Sequence, residues 1–477
     1  MAAPTQTLTP IVASDDLAIY RAALIVSHQN DLALLDRPTR YDLTLTYTPA
    51  PPTLAGSQDV RYFNRQNVPL DEIYLRLFAN YPDSGGKISV DNLRVNGALA
   101  SYKLEAQNTA LRVLLDKPLA PNAALNLHLD FIVTIPRNNQ KHYADFTANE
   151  GIATLPTMYP LIPAYDAKGW HIQVSPSYGD WVYADASLYA VTMTVPTTMT
   201  VIASGSTIGA RDNGDGTTTS RIIGAPMRDF DINITSRLQK VSASVGDTTV
   251  NSWFEPTDAE AGKNALQYAT DALRVFNNRF GAYPFRELDV AQTPTTAGGI
   301  EYPGIVVIGS ELYRGARNRD FFEFAIVHEV AHQWWYAMVG NDQPNQPWVD
   351  EALAQYSALI YYEEIRGAGA RQAIQREVFQ GQYNSAKNAG HDMPANLPVA
   401  AYNEENYAAI VYGKAPLFFD AIRAKMGDAR FFQFLRTYFE RYRYRIATGD
   451  DLLWTAEDVC ACSLQNEYKE WILSPVK

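Results

Sequence analysis

Two histidines four residues apart, His328 and His332, enclose a carboxylate, Glu329, in the run HEVAH. On a helix of 3.6 residues per turn this spacing returns both side chains to one face, so two imidazoles can reach one metal ion. Glu329 stands beside them, near enough to hold a water at that metal. Eighteen residues after His332, the segment NQPWVDEALAQY supplies Glu351 on a second helix begun by Pro347. Two His and one Glu, with a fourth position left for water, form the ligand set of a single catalytic zinc and not of a closed structural site. With 7 His and 52 acidic residues in 477, random order would produce this pattern in roughly one chain in a thousand. The chemistry it offers is hydrolysis: a zinc-held water is made acidic, and Glu329 takes its proton as a carbonyl is attacked. Zinc-bound histidines need outer partners, and Asp350 and Gln355, flanking the third ligand, are the candidates.

The elements that must position these residues follow from periodicity. DFFEFAIVHEVAHQWWYAMVG opens on Asp320 as an N-cap with Glu323 three residues later and closes on Gly340, which predicts one helix carrying both histidines. Helical spacing predicts further helices over 259–280, 347–365, 371–386, 407–425 and 431–442, with short strands at 287–292 and 304–308. Trp334, Trp335 and Trp348 fall at spacings that suit core packing. From Thr39 to about Val250 the period is two: Leu125, Leu127, Leu129, Phe131, Val133 and Ile135 alternate with Asn126, His128, Asp130 and Thr134. Asn213-Gly214 and Asp215-Gly216 predict a tight hairpin turn. The chain therefore reads as an α+β multidomain protein: a spacer at 1–14, a mostly β domain at 15–245, and a mostly helical domain with the metal residues at 246–477.

Composition narrows the partners. A formal charge of -12 has the wrong sign for gripping phosphate backbones, which excludes nucleic acid. No run approaches the roughly 18 apolar residues of a membrane span. The opening AAPTQTLTP resembles the spacer after a removed export signal or lipid anchor, so an exported protein is expected, with a cytoplasmic one as the alternative. Cys460 and Cys462, one residue apart, are expected as two thiols near a helix end.

HEVAH, the 18-residue gap and WVDEALAQY together resemble the zinc signature of the gluzincin aminopeptidases related to aminopeptidase N and leukotriene hydrolase. TTAGGIEYPG is similar to that family's Gly-Ala-Met-Glu-Asn element, with Gly298, Gly299, Ile300, Glu301 and Tyr302 in its places. VYGKAPLFF is similar to its Tyr-x-Lys-Gly element, which places Tyr412 at the catalytic tyrosine and Tyr407 on the same rim. The resemblance implies an all-β sandwich-like N-terminal domain followed by a thermolysin-like catalytic domain, in a short two-domain form. It implies peptide substrates with a free N-terminus, Glu301 as the anchor of their ammonium, and Tyr412 as a donor to the tetrahedral oxyanion. There are departures from the family's pattern: Tyr302 stands where Asn is usual, Ala415 where Gly is usual, and no β-domain Gln or Glu matches the second amine anchor. MYPLIPAYDAKGW, around Tyr159 and Asp166, is expected in that place. A metallo-endopeptidase and an inactive peptide-binding module are the competing readings.

Overall fold

A computed structural model describes residues 16–140, 143, 145–315 and 319–475, and the expected spacer at 1–14 lies outside them. The N-terminal half is β-rich. Its largest sheet has eight strands in the order Ser206–Asp212, Thr217–Met227, Ser187–Pro196, Arg40–Pro49, Pro52–Phe63, Ala124–Thr134, Lys87–Val95 and Ala98–Leu99. The alternation read along residues 125 to 133 is the burial pattern observed, with Leu125, Leu127, Leu129, Phe131 and Val133 inside. The predicted hairpin joins Ser206–Asp212 to Thr217–Met227, and Gly214 and Gly216 take the positive φ angles that its turn requires. Tyr41 and Tyr189 stack at 4.9 Å in the core, with Tyr159 edge-on to both.

The second half is built on a five-stranded sheet in the order Gln239–Val245, Thr248–Phe254, Glu287–Thr293, Ile305–Gly309, Gly299–Ile300. Strand pairing thus puts residues from Gln239 onward with the catalytic half. The parallel pair Thr248–Phe254 and Glu287–Thr293 needs a crossover, which helix α1 (Ala259–Arg279) provides. Gly299–Ile300 lies at the sheet edge, next to helix α2 (Arg319–Ala331) and helix α3 (Trp348–Arg366). Trp334, Trp335 and Trp348 are buried, as their spacing predicted.

Three local expectations are corrected. Helix α2 ends at Ala331, not near Val339. Arg228, fully buried from the other half, donates to the carbonyls of Tyr336, Met338, Arg445 and Ala184. A continuing helix would have used the Tyr336 and Met338 carbonyls internally, so the chain unwinds to meet the guanidinium. Gly340 makes room, since a Cβ there would lie 2.1 Å from Arg228 Cζ. The helix also starts at Arg319, so Asp320 lies inside it. Glu323 accepts from Tyr361 Oη–H and Arg366 instead of closing a capping box. The two cysteines are bonded to each other. Ala461, left-handed at φ 52° and ψ 40°, turns the chain so that the flanking Cα atoms come within 5.2 Å, a separation that a bridge spans.

The helices predicted over 371–386 and 407–425 are present but interrupted. Each carries a wide turn, Gln375–Gln380 and Ala408–Lys414, in which the hydrogen bonds step one residue further than in an α-helix. Among the described residues no helix is long and apolar enough to cross a membrane.

Candidate active site

The unwinding after Ala331 leaves the metal spacing intact, because the His332 N–H still bonds the His328 carbonyl. The two Nε2 atoms lie 3.1 Å apart, and Glu351 Oε2 is 3.2 Å from one and 3.3 Å from the other. A tetrahedral zinc with bonds of about 2.0–2.1 Å holds its donors about 3.3–3.4 Å apart, so this triangle fits one zinc ion. All three residues are buried. The Trp335 carbonyl accepts from His332 Nδ1–H at 2.9 Å, which leaves the Nε2 lone pair facing the cluster. Burial raises the Glu351 carboxyl, but His332 and His328 outweigh it and hold the group well below its ordinary range.

Glu329 is buried on the same helix, and burial, reinforced by Glu301, raises its carboxyl well above the ordinary value. Gly299 on the edge strand lies against Glu329: a Cβ at 299 would stand 2.4 Å from Glu329 Cγ and 2.6 Å from Oε1. At Gly298 a Cβ would be 3.4 Å from Phe321 Cζ, an ordinary contact.

Glu301 ends this strand run. Its Oε1 accepts from Gln343 Nε2–H at 3.1 Å, and the same amide gives its other proton to Asp350 Oδ2 at 2.9 Å. Asn341 and the Glu351 N–H fill the remaining oxygen of Asp350. Asp350 was expected to steady a zinc histidine. Its hydrogen bonds instead tie the metal-bearing helix to Glu301 through Gln343.

Gln355 donates to the Tyr412 carbonyl at 3.1 Å. Burial lowers the His328 imidazole below its ordinary value, against the opposing pull of Glu351. The Tyr412 hydroxyl donates to Glu351 Oε1 at 2.6 Å, and burial together with Glu351 keeps the phenol protonated. Tyr407 packs edge-on to it at 5.7 Å. Tyr302 is buried against Ile202, Ala291, Ile305 and Val307.

The stretch expected to face Glu301 from the β half does not do so. Tyr159 is sealed in the core, and Asp166 pairs with His171. Asp180, twenty-one residues beyond Tyr159 in chain order, reaches the site instead: one carboxylate oxygen each from Asp180, Glu301 and Glu351 lie within 4.8 Å of one another. Sequence reasoning missed Asp180, Gln343 and Asn341, because no fixed spacing links them to HEVAH. Asp180 and Gln343, with Glu301, Glu329 and Glu351, line a cavity of about 540 Å³ between the two halves. Its lining carries seven carboxylates and, among the described residues, no lysine or arginine.

Residues 264–471 match the model of the Peptidase family M1 domain. This helical part of the chain is similar to that peptidase domain. Aminopeptidase M1-B of Oryza sativa subsp. japonica is 25% identical over 221 residues, 44% of this chain and 25% of that relative. Aminopeptidase N of Streptomyces lividans is 25% identical over 209 residues, 41% of this chain and 24% of its own. The chain thus spans about a quarter of the length of the curated relatives it matches. The crystal structure of an M1 zinc metallopeptidase E323A mutant from Deinococcus radiodurans aligns over 92% of this chain and 96% of its own, with a TM-score of 0.67 at 21% identity. A structure of that protein bound to a Tyr-Ser-Ala substrate covers 91% and 94% with the same TM-score. The expected fold class, a β-rich half followed by a helical catalytic half, is the one this two-domain relative shares.

Proposed function

We propose that this protein is a zinc-dependent aminopeptidase of the M1 type that removes the first residue of peptides. One observation carries the reading: the carboxylates of Asp180 and Glu301 lie within 4.8 Å of Glu351 Oε and of each other. An ammonium set between two such oxygens is within hydrogen-bonding distance of both. A peptide's free end is therefore held one residue from the metal ligands, where the first peptide bond must lie.

A zinc ion held by His328, His332 and Glu351 would supply a Lewis acid that acidifies water and polarises the scissile carbonyl. Glu329 accepts the proton of the attacking water and returns it to the departing amine. The Tyr412 hydroxyl, protonated at neutral pH, donates toward the carbonyl oxygen as negative charge develops there. Gln343 fixes Glu301, and through it the ammonium, against the metal-bearing helix. Asp180 comes from the β-rich half, so the amine site is assembled from both halves.

The test is mass spectrometry of a peptide pool in free and N-acetylated forms after incubation with the zinc-loaded protein. Stepwise loss from the free peptides alone is the expected result. Internal cleavage of both forms would make the protein an endopeptidase, and zinc binding without cleavage would make it a binding module.

A further inference from the structure

Asp180 is carried by a segment that no ladder or helix fixes. Between strand Gly169–Trp170 and strand Ser187–Pro196 the chain forms no regular element, so side-chain contacts must set where the carboxylate stands. The carboxylates of Asp180, Glu301 and Glu351, within 4.8 Å of one another, repel when no cation lies between them, and that force pushes the Asp180 segment away from the site. The two residues before Asp180 oppose it. The Tyr178 hydroxyl donates to the Tyr402 carbonyl at 2.6 Å, with the Val399 carbonyl at 3.4 Å, and both carbonyls belong to the catalytic half. Gly179 is pressed onto Val399, where a Cβ would stand 2.6 Å from Val399 Cγ1. Val399 is fully buried, so its side chain has little room to yield. On the other side of Asp180, Trp181 stacks on Tyr81 of the β-rich half at 4.2 Å, and its indole N–H donates to the Pro176 carbonyl at 3.0 Å. Asp180 is thus strung between an aromatic anchor in each half.

We infer that Tyr178 and Gly179 are positioning residues for Asp180: docked on the segment 399–402, they hold its carboxylate at the ammonium site before a substrate arrives. The inference rests on the reading of Asp180 and Glu301 as that site. An anchor already in place spares the substrate the ordering of a loop, so the docking adds to the affinity for the amine and not to the grip on the rest of the molecule. The Tyr178 ring makes a separate contact, 5.8 Å from the ring of Tyr407, which in turn packs on Tyr412. Phenylalanine at 178 keeps that ring and removes only the bond to the Tyr402 carbonyl. It therefore tests the anchor and leaves the surroundings of Tyr412 in place.

The experiment is titration calorimetry of the zinc-loaded full chain with leucine hydroxamic acid and with 4-methylpentanehydroxamic acid, which lacks only the amino group. The ratio of the two Kd values reads the ammonium site, because the zinc grip and the side chain are common to both and cancel. Any unfolded fraction cancels with them. Tyr178→Phe should reduce the preference for the amino compound about fivefold. Gly179→Ala should reduce it about tenfold, since its methyl forces the segment back from Val399 by about 0.8 Å. Gly179 is not among the glycines with positive φ, so its backbone accepts alanine. In the Asp180→Asn background, Tyr178→Phe should change the ratio by less than about twofold, because the charge it positions is gone. A ratio unchanged by both Tyr178→Phe and Gly179→Ala would overturn the inference. So would an equal loss from Tyr178→Phe in the Asp180→Asn background, since Tyr178 would then act independently of Asp180. A zinc-bearing parent protein that takes both hydroxamates equally would overturn the ammonium reading of Asp180 and Glu301, and this inference with it.

Discussion

Substituting Gly299 by alanine tests the placement of the proposed general base without touching it. The added methyl would stand 2.4 Å from Glu329 Cγ, 2.6 Å from Oε1 and 2.7 Å from Cδ. Ordinary van der Waals contact begins near 3.4 Å, so the Glu329 side chain must retreat by about 1 Å. Misplacing a catalytic group by that distance costs on the order of a hundredfold in rate, or about 2.7 kcal/mol of barrier. The backbone itself is unstrained by the change, because Gly299 is not among the glycines with positive φ. His328, His332 and Glu351 are not displaced, so one equivalent of zinc should remain bound. The assay is steady-state release from an aminoacyl chromogenic substrate, with metal content and thermal midpoint measured on the same sample. Gly298→Ala is the comparator, since its methyl meets Phe321 at an ordinary 3.4 Å and should cost far less. A Gly299→Ala protein that carries zinc and keeps kcat within about threefold of the parent would refute the reasoning.

Glu329→Gln should keep zinc and lose about 10²- to 10⁴-fold in kcat, whereas His332→Ala should lose the metal on dialysis; near-full activity of Glu329→Gln would exclude it as the base. Asp180→Asn should lower kcat/KM for free peptides by about tenfold or more, because one carboxylate of the ammonium site loses its charge, and an unchanged value would remove Asp180 from that site. Asp289, buried with its Oδ1 accepting from Trp253 Nε1–H at 2.6 Å, has its carboxyl pushed up to about 7 by burial. The folded state then holds a proton that the unfolded chain releases near pH 4. Stability falls as pH rises from about 4 to 7 and is flat above, by at most about 4 kcal/mol. Asp289→Asn keeps an acceptor for Trp253 and removes the titration, so its gain in thermal midpoint should be larger at pH 8.5 than at pH 4.5; an equal gain at both would contradict the burial argument. Arg228→Met should destabilise by at least about 3 kcal/mol in denaturant melts, since buried carbonyls at Ala184, Tyr336 and Met338 lose their donor.

What the sequence displayed and what it concealed divide along a physical line. Ligands on regular elements were legible because helical and strand periods convert spacing into direction. His328 and His332 are one turn apart, Glu351 lies in the first turn of α3, and residues 125 to 133 alternate. Similarity to known motifs added Glu301 and Tyr412, whose roles no period encodes. The groups that complete the site come from irregular segments whose positions depend on long-range packing. Asp180 reaches Glu301 from a loop of the other half, and Gln343 bridges Glu301 and Asp350 from the turn before α3. The premature end of α2 has the same origin: its residues would continue a helix by local preference, but Arg228, more than 100 residues earlier in the chain, demands their carbonyls. A buried guanidinium with no carboxylate in its hydrogen bonds must be satisfied by backbone oxygens, and only an unwound segment offers several at once. The same unwinding brings the Trp335 carbonyl to His332 Nδ1, so the contact that docks the two halves also sets the tautomer of a zinc ligand. Arg228→Met should therefore weaken zinc retention as well as stability, and a variant that melts earlier yet holds zinc as tightly as the parent would break that link.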